Sequence, residues 1–135
     1  MKLLPNSNYV VKLFETYEEK DRVILILELM EGKSLENFIK HNPKLQEDQI
    51  FNIFYQLLKG VSFMHSSNVM HRDIKPENIL FLKDKDFETL KIADFSLAQN
   101  FTKTKTFDLI CGTPGFMAPE VFTKDGYDEK VDVYS

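Results

Sequence analysis

This sequence predicts an α+β fold, from three observations along its 135 residues. The runs "YVVKLF" (9–14) and "VILILEL" (23–29) are rich in β-branched residues and flank the charged "EEKD", the pattern of a hairpin. From Gln46 to Ser66 the apolar residues Ile50, Ile53, Phe54, Leu57, Val61 and Met64 recur every three or four positions, the period of a long core-facing helix. "NILFL" and "LKIADF", on either side of "KDKDFET", predict a second, shorter hairpin.

The elements follow in chain order. After the first hairpin, Gly32 predicts a turn, and Ser34 stands where a side-chain oxygen caps the unpaired N–H groups of a helix start. Leu35, Phe38 and Ile39 keep helical spacing, and the helix is expected to end before Pro43, which has no N–H to donate. The long helix and the short hairpin come next. Beyond Asp94 no periodicity survives, so the remainder is expected to be mostly ordered loop. No repeat or linker-like tract interrupts the chain, which reads as one domain or part of one.

Composition narrows the function classes. A content of 43% hydrophobic and 28% charged residues suits a globular domain, and twelve Phe without Trp give its core aromatic bulk. A formal net charge of -4 and the lack of a basic stripe argue against a nucleic-acid surface. The longest apolar runs, such as Val23–Leu27, fall far short of the ~20 residues that span a bilayer, so no membrane partner is expected. "MKLL" runs straight into Pro5 without the apolar stretch of a signal peptide. The single Cys111 excludes an internal disulfide and fits a reducing compartment, so the cytoplasm or nucleus is the expected location.

One stretch is charged out of proportion. "VMHRDIKPENILF" (69–81) sets Arg72, Asp73, Lys75, Glu77 and Asn78 between apolar ends, and Asp94-Phe95 follows the second hairpin. Singly, Asp and Asn in such places usually cap turns. Together they match what phosphoryl transfer requires: a carboxylate to orient and accept the proton of a hydroxyl, and oxygen ligands for Mg²⁺. Asp73, Asn78 and Asp94 supply those groups, and hard oxygen donors suit that ion.

"HRDIKPEN", "ADFSLA" and "CGTPGFMAPE", in this order and spacing, resemble a eukaryotic protein kinase catalytic domain of the serine/threonine type, most similar to the calcium/calmodulin-dependent group. The resemblance covers essentially the whole chain. It implies part of a protein-kinase-like fold, with residues 1–30 as the last strands of the small lobe and the hinge. Residues 31–135 would be the first, mainly helical part of the large lobe, with catalytic loop and activation segment. The implied activity is transfer of the γ-phosphate of ATP to protein Ser/Thr hydroxyls.

By the same resemblance Asp73 is the catalytic base, Lys75 a cation near the transferred phosphate, and Thr113 a hydrogen-bonding neighbour of the base. Asn78 and Asp94 would bind Mg²⁺. Leu27 resembles the gatekeeper, Glu28 to Met30 the hinge that meets adenine, and Leu80 the residue under the base. His71, Phe95 and Leu13 correspond to a packing stack, and Asp132 to a brace of the catalytic loop. Cys111 reads as a small buried residue rather than a redox switch. Ser34 stands where relatives often have an acidic residue, whereas Glu77 is kept and implies a basic-directed substrate preference.

Residues 94–120 resemble the activation segment, which makes the 102–106 stretch of "FTKTKTF" a regulatory loop and an upstream kinase acting on it a candidate partner. Arg72 would pair with a phosphate there, since an Arg fork binds phosphate bidentately. The usual acceptor position falls on Leu109, which leaves three alternatives: Thr106 takes the phosphate, Asp108 supplies fixed charge, or no phosphate is needed.

Two departures stand out. Ser96 replaces the glycine of Asp-Phe-Gly, which is expected to alter loop switching more than chemistry. Upstream, the chain starts at what resembles the fourth strand of the small lobe, without a Gly-rich loop or strand lysine, and Lys2 and Lys12 lie in the wrong context to replace that lysine. It stops at Ser135, where the resemblance places the start of a buried helix. Truncation at both ends is therefore expected, with exposed apolar faces and marginal stability for the isolated chain. The alternative is a non-catalytic, kinase-derived binding module or a remnant.

Overall fold

In the computed structural model, which describes residues 4–83, 88–102, 106–123 and 125–135, β1 (Leu13–Glu18) and β2 (Val23–Leu27) pair antiparallel from Leu13↔Leu27 to Glu18↔Val23. The hairpin is thus where the sequence predicts it, but its first strand starts later and extends through Thr16 and Tyr17. Tyr9 to Val11 make a different pairing: Val11 N–H donates to Ile92 O at 2.9 Å and Ile92 N–H to Tyr9 O at 2.9 Å. Val10 and Val11 are buried against that partner, and burial of two β-branched residues outweighs continuation of the hairpin.

Helix α1 (Leu35–His41) starts as predicted, with Ser34 Oγ accepting from Asn37 N at 3.2 Å. Gly32 before it serves close approach. Its N–H donates to Phe81 O at 3.0 Å, and a Cβ on it would lie 2.3 Å from Lys83 O and 2.6 Å from Phe81 Cβ, so any side chain would push the hinge off β4. Helix α2 (Glu47–Ser66) opens with Gln46 N–H donating to Gln49 Oε1 at 3.0 Å. It ends at Asn68, which takes the left-handed φ of 58° that asparagine tolerates after a helix.

Of the predicted inward positions on α2, Ile53, Val61 and Met64 are buried and Leu57 is half-buried, while Ile50 and Phe54 are exposed. The helix carries apolar residues nearly all round, so a periodicity count over-assigns its core face. The buried Gln56 ties that face to the short hairpin by accepting from Leu90 N at 2.8 Å.

β3 (Val69–Met70) pairs with β6 (Gln99–Asn100), and β4 (Ile79–Phe81) with β5 (Leu90–Ile92), both antiparallel. The β4–β5 hairpin is the predicted one, although residues 84–87 of "KDKDFET" lie outside the described residues. Its period-two alternation is clear: Ile79, Phe81, Leu90 and Ile92 enter the main core, and Leu80 and Lys91 share the other face. The β3–β6 pair has no sequence signal, because two residues per strand are too few to show a period. A second core of Met70, Phe101, Ala118, Val121, Tyr127 and Val131 gathers the otherwise irregular end of the chain, which closes in the short α3 (Val131–Tyr134).

Among the described residues, large exposed apolar side chains include Phe51, Phe54 and Leu58 of α2 and Val23, Leu25 and Ile26 of the hairpin. A polypeptide of these 135 residues alone is therefore expected to bind a hydrophobic dye in its native state and to melt broadly or self-associate. A sharp two-state melt of a monomer by calorimetry and light scattering would contradict this.

Candidate active site

The loop between β3 and β4 is built so that its side chains cannot drift. Asp132, buried in the first turn of α3, accepts from the backbone N–H groups of His71 and Arg72, each at 2.7 Å, and its Oδ2 lies 2.9 Å from His65 Nε2. These bonds hold Arg72 at a φ of 69°, a conformation that a residue with a long side chain adopts only where its surroundings enforce it. His71 is fully buried, and burial drives its pKa below the usual value and keeps the ring neutral. Its Nδ1 accepts from Asp73 N at 3.2 Å, so Nε2 carries the proton and donates to Ala93 O at 2.9 Å. Phe95 packs edge-on against the same ring at 4.9 Å between centroids, as the predicted stack requires.

This frame presents Asp73. Thr113 Oγ donates to its Oδ1 at 2.6 Å, while Lys75 Nζ and Asn78 Nδ2 reach its Oδ2, each at 2.9 Å. Lys75 Nζ also donates to Thr113 Oγ at 2.6 Å, which closes a ring of three residues separated by up to 40 positions. Burial pushes the Asp73 pKa up, but the bonds from Thr113, Lys75 and Asn78 outweigh it and hold the carboxyl below the usual range. The Asp73 bond in turn raises the pKa of Lys75. Asp73 is therefore an anion beside a cation at neutral pH.

Asn78 links this cluster to the second hairpin. Its side-chain nitrogen is committed to Asp73 O and Oδ2, which aims Oδ1 away from Asp73, and its backbone carbonyl accepts from Ala93 N at 2.8 Å. That bond places Asp94 next to the loop. Asp94 is exposed, has a φ of 59°, and accepts from Ser96 N at 3.2 Å. Ser96 itself lies in a 3-10 turn (Phe95–Leu97) without a positive φ, so the strained torsion of this loop falls on Asp94 and serine fits the third position.

The residues that the resemblance expects to face a nucleotide come together as well. A cleft of about 790 Å³ is lined by Glu28, Met30 and Leu80 together with Asp94, and by Val11, Leu13, Leu27 and Phe95. A largely apolar cleft of this size, with few polar groups at its rim, suits a small-molecule ligand. Asp73, Lys75, Thr113 and Asn78 sit outside its lining, and Asn78 is joined to it by the bond from Ala93 N to the Asn78 carbonyl. Ser34 is spent as the α1 cap, and Glu77 is exposed.

Two features were not read from the sequence. Lys91, buried on β5, pairs with both oxygens of Glu28 at 2.7 and 2.8 Å, and Lys12 N–H donates to the same carboxylate at 3.1 Å. The hinge is thereby bolted to the short hairpin, and the one signal for it is a lysine inside the apolar run "LKIA". The other is Tyr127, buried beside Arg72. Cys111 is half-buried, with Sγ 3.7 Å from the Tyr127 hydroxyl.

A model of the protein kinase domain matches residues 1–135. The chain belongs to the protein kinase family. It is 41% identical over 128 residues to calcium/calmodulin-dependent protein kinase type 1 of Caenorhabditis briggsae, covering 95% of this chain and 36% of that protein. It is 41% identical over 137 residues to the "Probable serine/threonine-protein kinase zyg-1" of the same organism, covering 100% of this chain and 19% of that one. Calcium-dependent protein kinase 6 of Plasmodium berghei is 42% identical over 127 residues, 93% of this chain and 8% of its own length. This kinase chain thus lies among serine/threonine kinases near the calcium/calmodulin-dependent group, and spans about a third or less of the length of these relatives.

Proposed function

We propose that this chain carries the phosphate-transferring centre of an ATP-dependent serine/threonine protein kinase. One observation carries the reading: Asp73, Lys75 and Asn78 of one motif and Thr113 of another, up to 40 positions away, form one hydrogen-bonded cluster beside Asp94 and the cleft. An ionised carboxylate has about four acceptor sites, of which Thr113, Lys75 and Asn78 fill three, leaving one for a substrate hydroxyl. A carboxyl held below its usual pKa does not strip a proton from a resting hydroxyl. It orients that hydroxyl and takes the proton as transfer proceeds. Lys75 offers positive charge to the migrating phosphate, and its bond to Thr113 keeps it beside Asp73.

The donor set fits Mg²⁺. Among the described residues no group of three or more His, Cys, Asp or Glu stands ready to hold a metal, so the protein ligands would be Asn78 Oδ1 and the Asp94 carboxylate, with phosphate oxygens and water completing the shell. When bound there, the ion neutralises phosphate charge. At the hinge, the Glu28 N–H already donates to Lys12 O at 2.9 Å, so Glu28 offers adenine its carbonyl, with Met30 beside it and Leu80 beneath. Protein substrates bearing Ser or Thr are the partners this reading implies.

The test is transfer of labelled γ-phosphate from Mg²⁺-ATP to a serine peptide by the longest native form of the protein. We expect label on the serine, abolished by chelation of the metal. A wild-type protein that binds nucleotide but transfers nothing would favour the binding-module reading.

A further inference from the structure

The sequence leaves open how the 94–120 segment is held when Leu109, which has no hydroxyl, occupies the usual acceptor position. A phosphate orders such a segment by giving an arginine fork a bidentate partner. In this structure two of the fork's five N–H donors, on Nε and Nη1, are already engaged by uncharged oxygens. Arg72 Nε donates to Leu97 O at 2.7 Å and Nη1 to the Tyr127 hydroxyl at 3.2 Å, and that hydroxyl donates to Leu109 O at 2.6 Å. The Tyr127 backbone also pairs with Phe107 in both directions, at 2.9 and 3.0 Å. Gly126, at a φ of 77°, packs so closely under Thr106 that a Cβ would lie 2.9 Å from the threonine Cβ. One buried residue therefore grips the segment at Phe107 and Leu109 and the catalytic loop at Arg72.

From this we infer that Tyr127 is a positioning residue: it fixes residues 106–111 against the catalytic loop by neutral hydrogen bonds, so transfer to a protein substrate does not wait for phosphorylation of this segment. The inference rests on the phosphoryl-transfer reading above. Thr113, four positions beyond Leu109, belongs to the same segment, so slack at Leu109 reaches the bond between Thr113 and Asp73. Burial raises the Tyr127 pKa, which keeps the hydroxyl protonated as the bond to Leu109 requires.

The experiment compares wild type with Tyr127→Phe in the longest native form, each before and after phosphatase treatment. Wild-type kcat/KM for a serine peptide should stay within about threefold after treatment, whereas Tyr127→Phe should raise the peptide KM about tenfold and leave the KM for ATP unchanged. Independently of activity, mass spectrometry should show Cys111, beside the Tyr127 hydroxyl, alkylated about tenfold faster by iodoacetamide in Tyr127→Phe. Equal alkylation in the two proteins overturns the inference, as does loss of wild-type transfer after phosphatase treatment. If untreated wild type transfers nothing, the phosphoryl-transfer reading has failed, and the alkylation rates still decide whether Tyr127 holds the segment. If Tyr127→Phe does not fold, the phosphatase comparison on wild type alone decides.

Discussion

Asp73→Ala should lower phosphate transfer by about 10²–10⁴-fold, the range over which a positioned acid or base acts, while the KM for ATP changes little. The asymmetry follows from geometry, because Asp73 lies outside the cleft lining and its partners are Thr113, Lys75 and Asn78. Asp73→Asn is the sharper variant. It keeps the volume and an acceptor for Thr113 but turns the ion pair with Lys75 into a neutral contact. A variant with more than a tenth of wild-type kcat would remove Asp73 from the mechanism.

The same substitution has a pH signature. The folded pKa of Asp73 lies below its ordinary value of 3.8, so the bonded carboxylate contributes stability that is complete above that value. The contribution is lost as the pH falls through the lowered folded value, where wild type takes up the proton. In urea unfolding, the wild-type advantage over Asp73→Asn should be present at neutral pH and shrink on acidification below the ordinary value. An advantage constant down to full protonation would mean that packing, not charge, is what Asp73 supplies to stability.

Asp132→Ala should give the largest loss of stability, about 2–5 kcal/mol, because it leaves a buried backbone N–H, that of His71, and a part-buried one, that of Arg72, without an acceptor. Against the roughly 5–15 kcal/mol that holds a typical domain together, this is enough to unfold a marginal one. Where the variant stays folded, transfer should fall as well, since the Arg72 backbone depends on Asp132 for its left-handed turn. Asp132→Asn should be milder, as its remaining oxygen can serve one of the two N–H groups. Equal urea midpoints for Asp132→Ala and wild type would show that water or another group takes over the two donors.

Much of this was readable in the residues themselves. Strand and helix periods located both hairpins and α2, Ser34 marked the start of α1, and the spacing of Asp73, Asn78 and Asp94 pointed to phosphoryl transfer. These signals are local, since a period or a cap is written within a few residues of where it acts. Motif order carried the resemblance further, to Lys75, Thr113, the hinge and Asp132, all of which the fold brings to one loop or its cleft.

What stayed hidden acts across the chain. Nothing near Tyr127 signals that its hydroxyl meets Arg72, 55 positions earlier. Nothing near Lys91 signals Glu28, 63 positions before it. The departure of Val10 and Val11 from the first hairpin was equally invisible, because the competing partner Ile92 lies in another hairpin. The sequence by itself determined the two hairpins, α1 and α2 and which side chains are candidates for the chemistry, since backbone preference and side-chain type are properties of short stretches. Only the tertiary structure decided which carboxylate is held ionised, which arginine is already occupied and which apolar faces stay uncovered, because burial and hydrogen bonding depend on neighbours that the order of residues does not name.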